Sequence, residues 1–398
     1  MTQPTREGLG WTERDTSRIR LPFWTTKPKL RAIEVVCRRV LDLQSEEVCT
    51  AKFFSSGLFN RLYLIDIPSR QQRLLLRASL PVDPYHKTVG EVATLEWVRR
   101  FTNIPVPYVI AYDPSPNNEI GFEWLLMPFL PGTTAYEAWP NMSMTAKVAL
   151  TKQVAEFKAQ LLSASEVNDM RGIGTMASPS EKPGYLVSRY RFMGDHFHYD
   201  VPRGPFHSSR EWLDAEIRIA KLSMGTDYLD GQDKFYLPVE YFLEKTDELL
   251  EDLPTVFPVT DEPEPTTIFH QDLRLENILV DEKGVITAVL DWEFSAAVPR
   301  WFATIMPEFL RGVERLPETI SGIRSLIDEM DRARANEGLE ICYGYDPTRY
   351  DPMEYERAQL GKVYTDRMRE LRPTWDAEVA DSASKLDFFW NVKRTEAG

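Results

Sequence analysis

A chain of 398 residues with 43% hydrophobic and 12% aromatic content has apolar mass for one large two-lobed protein or two domains. Its formal charge of -14 argues against the broad basic face that nucleic-acid phosphates require, and its three scattered cysteines, Cys37, Cys49 and Cys342, suggest neither a disulfide framework nor a CxxC metal site. No run of eighteen apolar residues occurs, so no membrane-spanning helix is expected. The acidic balance would welcome a cationic small molecule, although solubility explains it equally well. Acidic residues interrupt the arginines near the N-terminus, which favours a cytoplasmic location over a mitochondrial one.

In chain order, Leu30, Ile33, Val36, Val40 and Leu41 predict a helix over 28–43. The pattern then changes to period two, and 50–54, 60–67 and 73–78 read as a three-stranded meander. Thr88 and Glu91, in capping-box spacing, open a helix over 88–101, and strands at 108–112 and 122–127 complete this part. After Pro131-Gly132 helical spacing dominates, at 146–162, 239–253, 318–335, 355–371 and 374–389. The expected class is therefore α+β and bilobal: an N-terminal extension over 1–27, a sheet lobe over 28–130 and a helical lobe over 131–398. A cleft between such lobes is a usual ligand site.

One polar constellation interrupts the helices. FHQDLRLENILVDEKGVITAVLDWE, 269–293, places His270, Asp272, Asn277 and Asp291 around two short apolar strands, with Asp-Glu-Lys-Gly at 281–284 as their turn. The His-x-Asp-Leu-x-x-x-Asn spacing suits phosphoryl transfer, in which one carboxylate orients the acceptor hydroxyl while an amide and a second carboxylate hold magnesium. Asp272 is then the proton acceptor, and Asn277 and Asp291 are the metal ligands. The plainer alternative is a β-hairpin whose loop is capped by Asp272 and Asn277.

With this loop, the Leu-Leu-Leu-Arg strand at 74–77, Glu91, Ile-Pro-Val-Pro at 104–107 and Leu-Met-Pro-Phe-Leu-Pro-Gly at 126–132, the sequence resembles the aminoglycoside phosphotransferase and choline kinase family over roughly 50–310. The resemblance implies a protein-kinase-like fold and an ATP- and Mg2+-dependent kinase acting on a hydroxyl of a small, aminoglycoside-, choline- or sugar-like acceptor. It makes Asp272 the base, Asn277 and Asp291 the metal ligands and His270 a support for the loop. Arg77 stands where protein kinases carry lysine, and a guanidinium can still bridge two phosphate oxygens. Glu91 is its expected partner, with helix capping as the rival role and Glu96 as the fallback.

The turn from Ser56 and Gly57 to Asn60 would cover phosphate, and the connector Met127, Pro128, Phe129 and Leu130 would meet the adenine edge. Because proline has no N–H, Phe129 or Leu130 must donate there. Arg274 either neutralises transferring phosphate or forms a surface salt bridge. The aromatic segment 190–212, with Asp195, His198 and Tyr199, is either acceptor pocket or core. Gly172-Ile173-Gly174 reads as a loop rather than a dinucleotide fingerprint, and Ser208 with Glu211 as a helix cap. The expected partner is a small molecule, which the acidic balance allows to be cationic, with no nucleic acid and no membrane, and the chain a monomer or homodimer. Two rivals remain: a nucleotide-binding pseudo-kinase, and an enzyme transferring another part of ATP.

Overall fold

The computed structural model describes residues 6–12, 20–177, 182–227, 239–312 and 347–397. A short antiparallel pair, β1 (Leu9–Trp11) and β2 (Pro22–Trp24), precedes α1 (Leu30–Val40), whose buried Ile33, Val36 and Cys37 recur at the spacing of one helix face. The sheet lobe is a five-stranded antiparallel sheet in the order β3-β4-β5-β7-β6. Its strands are β3 (Thr50–Ser56), β4 (Asn60–Ile67), β5 (Gln72–Ser79), β6 (Ala111–Asp113) and β7 (Glu123–Pro128). The strand expected at 108–112 is thus shorter and later, because Pro105 and Pro107 remove amide donors from the chain leading into it.

α1 closes one face of this sheet around Ile65, Leu74, Leu76 and Trp124. The helix after β5, α2 (His86–Phe101), instead buries Leu95, Trp97 and Val98 in the helical lobe's core with Leu150, Val154 and Leu161. Its start corrects the sequence reading. The N-cap is Tyr85, in the left-handed region at φ 68, and no side chain caps the helix. The Thr88 hydroxyl donates to the Glu123 carboxylate and Glu91 pairs with Arg77, so these two residues form no capping box.

The helical lobe carries β8 (Thr133–Thr134), α3 (Ala135–Ala138), α4 (Met144–Val167), β9 (Met176–Ala177), β10 (Lys182–Pro183), α5 (Arg189–Phe192), α6 (Ser209–Asp227) and α7 (Val239–Val256). After β11 (Thr266–Phe269), β12 (Ile278–Val280), β13 (Ile286–Val289), β14 (Ala296–Pro299) and α8 (Arg300–Ala303) come α9 (Pro347–Leu371), which packs on α4, and α10 (Trp375–Ala397). The helix expected at 318–335 lies outside the described residues. No helix among the described residues is long and apolar enough to cross a membrane.

Residues 172–177 are held by backbone bonds from Gly174 to Ala297, and a Cβ on Gly174 would collide with the Gly184 carbonyl. Close approach of two backbones explains that glycine without a nucleotide. At α6 the Ser208 hydroxyl accepts from the Glu211 amide at 3.4 Å while the Glu211 carboxylate accepts from the His207 amide at 2.8 Å. This is the predicted cap with its return bond moved back one residue.

Candidate active site

The constellation at 269–293 is built on two separate sheets. β11 pairs with β14, whereas β12 pairs with β13 and β8, so the loop 270–277 spans from one sheet to the other and is anchored at both ends. The predicted turn forms: the Asp281 carboxylate accepts from the Lys283 and Val285 amides, each at 2.9 Å, and Gly284 takes φ 77. Strand pairing returns the chain so that the Leu290 amide donates to the Asn277 carbonyl at 2.8 Å, which places Asp291 beside Asn277.

Four polar residues of the loop, His270, Asp272, Arg274 and Asn277, have definable tasks. His270 is buried; its Nε2 donates to the Leu290 carbonyl at 2.9 Å and its Nδ1 accepts from the Asp272 amide at 3.2 Å. Burial pushes this imidazole down to about 4, so at neutral pH it is an uncharged brace between the loop and the strand bearing Asp291. The Asn277 Nδ2 donates to the Asp272 backbone carbonyl at 2.8 Å. The Asp272 carboxylate is held between two guanidinium groups, Arg274 at 2.8 Å and Arg189 at 3.2 Å. Arg274 therefore forms an ion pair with the proposed base itself, and Arg189, which arrives from α5, has no signal in the sequence.

Across the cleft, Arg77 on β5 forms a buried ion pair with Glu91 of α2 and reaches Asp291 at 3.4 Å. Glu96 is exposed. Asp291 occupies the left-handed region at φ 60, which an aspartate tolerates, and Phe294 does so at φ 62, where a bulky residue is strained. Burial, and then the neighbouring Glu293 charge, pushes Asp291 up to about 6 against the opposing pull of Arg77 and Lys87.

A second buried cluster lies just behind. Lys87 Nζ pairs with the Glu293 carboxylate at 2.6 Å and donates to Asn60 Oδ1 at 2.9 Å, while Asn60 Nδ2 donates to Glu293 at 2.8 Å. Burial alone would raise Glu293, but the Lys87 and Arg77 charges outweigh it and hold this carboxyl below its usual range. Lys87 precedes Glu91 by four residues, so helical spacing could have placed both on one face; Glu293 was legible only as the end of Asp-Trp-Glu.

Several assigned residues are committed elsewhere. Asn60 ties the sheet lobe to Glu293 instead of facing the cleft mouth, and the Gly57 amide donates to the Asn60 carbonyl at 3.0 Å, closing the hairpin turn. That leaves exposed Ser56 beside a turn whose glycine amide is already used. In the connector, Met127 and Pro128 end β7, and the Phe129 amide donates to the Arg73 carbonyl at 3.2 Å, so Leu130 is the remaining donor of the two considered.

Two hollows are lined by Asp272, of 190 Å³ and 230 Å³, and neither includes Asp195, His198 or Tyr199. Asp195 pairs with Arg20 at 3.2 Å, Tyr199 stacks near His196 at 5.2 Å between centroids, and His198 lies edge-on to Phe197. Phe192, Phe206 and Trp212 of this segment are buried as the core reading expects, whereas Asp195 and His198 are exposed, and Tyr190 and Trp212 are its aromatics that reach the hollow of 230 Å³.

Residues 50–302 match the model of the phosphotransferase enzyme family (APH). The chain belongs to this family. A subtelomeric hrmA-associated cluster protein of Aspergillus fumigatus is 22% identical over 340 residues, covering 72% of this chain and 65% of the relative, so the match spans just under two thirds of that protein's length. Among solved structures, a Ralstonia eutropha protein assigned as an aminoglycoside phosphotransferase is 17% identical, with 89% and 98% of the two chains covered and a TM-score of 0.44. The Plasmodium vivax ethanolamine kinase is 13% identical, with 91% and 82% covered and a TM-score of 0.43. The assignment rests on the family model. Within this phosphotransferase-family chain the match encloses the sheet, α2 and the whole 269–293 constellation.

Proposed function

We propose that this chain is an ATP- and magnesium-dependent phosphotransferase that moves the γ-phosphate to a hydroxyl of a small molecule. The observation that carries the reading is the double use of Asn277: its side-chain amide fixes the Asp272 backbone and its own carbonyl fixes the strand end bearing Asp291. One residue thereby sets the spacing between a candidate base and a candidate metal ligand.

The Asp272 carboxylate accepts the acceptor's proton as its oxygen bonds to the γ-phosphorus and the bond to the ADP bridging oxygen breaks. Arg274 and Arg189 orient that carboxylate and place positive charge beside the transferring group. Arg77, kept in place by Glu91, presents a guanidinium to nucleotide phosphate from the sheet lobe. His270 stays neutral and keeps the loop in register. The Asn277 amide oxygen and Asp291 carboxylate are hard donors suited to magnesium, and the crowding of Asp291 by Glu293 and Asp272 is charge that a cation would relieve. When bound, the ion neutralises phosphate charge.

The test is ATP consumption against a library of hydroxylated amines, sugars and acids, with wild type and Asp272→Asn side by side. The variant is expected to lose about 10²- to 10⁴-fold in kcat, the usual contribution of a general base, while calorimetry shows unchanged Mg-ATP affinity. Wild-type turnover by Asp272→Asn on the true acceptor would remove Asp272 from the base role.

A further inference from the structure

The two hollows at Asp272 differ in how their charges are used. In the hollow of 230 Å³, Arg189 is paired with Asp272 and Lys393 with Glu216 at 3.0 Å. In the hollow of 190 Å³, two buried or half-buried donors lack acceptors among the described residues. Lys158, on α4, sets its ammonium 4.4 Å from the Phe269 ring centroid and makes no ion pair among the described residues. Tyr364, on α9, is 1% exposed, and its hydroxyl has no hydrogen-bond partner among the described residues.

The walls around them are mostly apolar and aromatic, including Trp292, Phe302 and Trp390. The acids that line this hollow do not answer the two donors: Asp272 is taken by its arginines, and Glu308 is exposed, as is Arg311. His270, neutral, adds no charge. Desolvation pushes the Lys158 ammonium down to about 7, as expected of a cation without a counter-ion. A more acidic hollow nearby, with Glu137, Glu276 and Glu308, does not reach Asp272.

An unpaired ammonium and an orphaned phenol in an apolar cavity ask for the same thing, an anionic oxygen group. We propose that the acceptor of this phosphotransferase-family site is an aromatic or apolar molecule carrying a carboxylate, which Lys158 pairs with and Tyr364 hydrogen-bonds, while its hydroxyl lies toward Asp272. This rests on the reading of Asp272 given above, and it opposes the cationic acceptor suggested by the overall acidity of the chain. The surface charge and the cavity charge have opposite sign.

A matched trio tests it: 4-(hydroxymethyl)phenylacetate, its carboxamide and 4-(hydroxymethyl)phenethylamine, which share a ring and a hydroxyl. Calorimetric binding to the full chain is measured without nucleotide, so the result does not depend on turnover. The carboxylate is expected to bind at least about tenfold tighter than the amine, the scale of one charged hydrogen bond. Lys158→Met should erase that preference, Lys158→Arg should retain it, and Tyr364→Phe should weaken the carboxylate alone. Equal or tighter binding of the amine, a preference that survives Lys158→Met, or no binding by any of the three overturns the proposal. Phosphorylation of the same trio separates the two readings. Asp272-dependent transfer to the amine alone sinks the anionic acceptor and keeps the phosphotransferase; carboxylate preference without Asp272-dependent ATP turnover does the reverse.

Discussion

Arg77 sits between two acids that make different demands on one guanidinium. Its ion pair with Glu91 is buried, while Asp291 is a longer neighbour at 3.4 Å across the cleft. Removing the charge altogether would orphan Glu91, a loss of stability that would obscure any kinetic effect. Arg77→Lys is the sharper variant, because a point charge satisfies Glu91 but cannot also offer a planar fork to phosphate. The expected outcome is a rise in KM for ATP on the order of tenfold with little change in melting temperature, read from steady-state kinetics and calorimetry. A defect confined to the acceptor's KM would move Arg77 out of the nucleotide site. Arg189 and Arg274 act at the same scale, since both hold the Asp272 carboxylate, Arg274 from within the same loop and Arg189 from α5.

At the scale of elements, α2 joins the lobes twice. Its apolar residues sit in the helical lobe's core, and its first turn sends Lys87 to Glu293, two residues after Asp291. The pair is fully enclosed, so neither charge has water to fall back on. Lys87→Met is expected to destabilise the protein by roughly 3–5 kcal/mol in urea denaturation, the cost of leaving a buried charge unpaired. Lys87→Met with Glu293→Leu should cost less than the sum of the single changes, because no orphan remains. Additive single and double variants would show that the two residues are not energetically coupled. Asp291 and Phe294, the two left-handed residues of this segment, flank Glu293, and Phe294 packs against Phe59 and Phe192 at the lobe junction.

For the whole molecule, the pH dependence of stability has a nameable source. Asp83 is 2% exposed, its Oδ2 has no hydrogen-bond donor among the described residues, and burial pushes it up to about 7 despite Arg203, Tyr185 and Arg6 nearby. Its ordinary value is about 3.9. Between these values the folded state keeps a proton that the unfolded chain has released, so stability falls as pH rises: the penalty is absent below about 4 and complete above about 7. His270 works in the opposite sense, since its folded value near 4 means stability is lost as pH falls below about 6.5. Melting temperatures of Asp83→Asn and wild type, compared at pH 5 and pH 8, isolate the first contribution. The difference is expected to move in favour of the variant as pH rises, and a pH-independent difference would remove Asp83 as the source.

Period-two and helical spacing marked the meander, α1, α2, α4, α7, α9 and α10, because a strand or helix with one buried face must repeat its apolar residues at the geometry's own period, whereas of α6 only the cap was read. The 270–291 motif was equally legible, since the polar residues are fixed by short-range spacing across one loop and one hairpin. Tertiary structure alone decided which groups meet across the lobes: Arg77 with Asp291, Lys87 with Glu293 over 206 positions of chain, and Arg189 with Asp272 over 83. It also decided which were already engaged, as with the Gly57 and Phe129 amides, and which were left over, as with Lys158 and Tyr364. A residue's type states which bonds it can make. Only the packing of distant elements around it determines whether those bonds are already filled, and the unfilled ones are what a ligand can use.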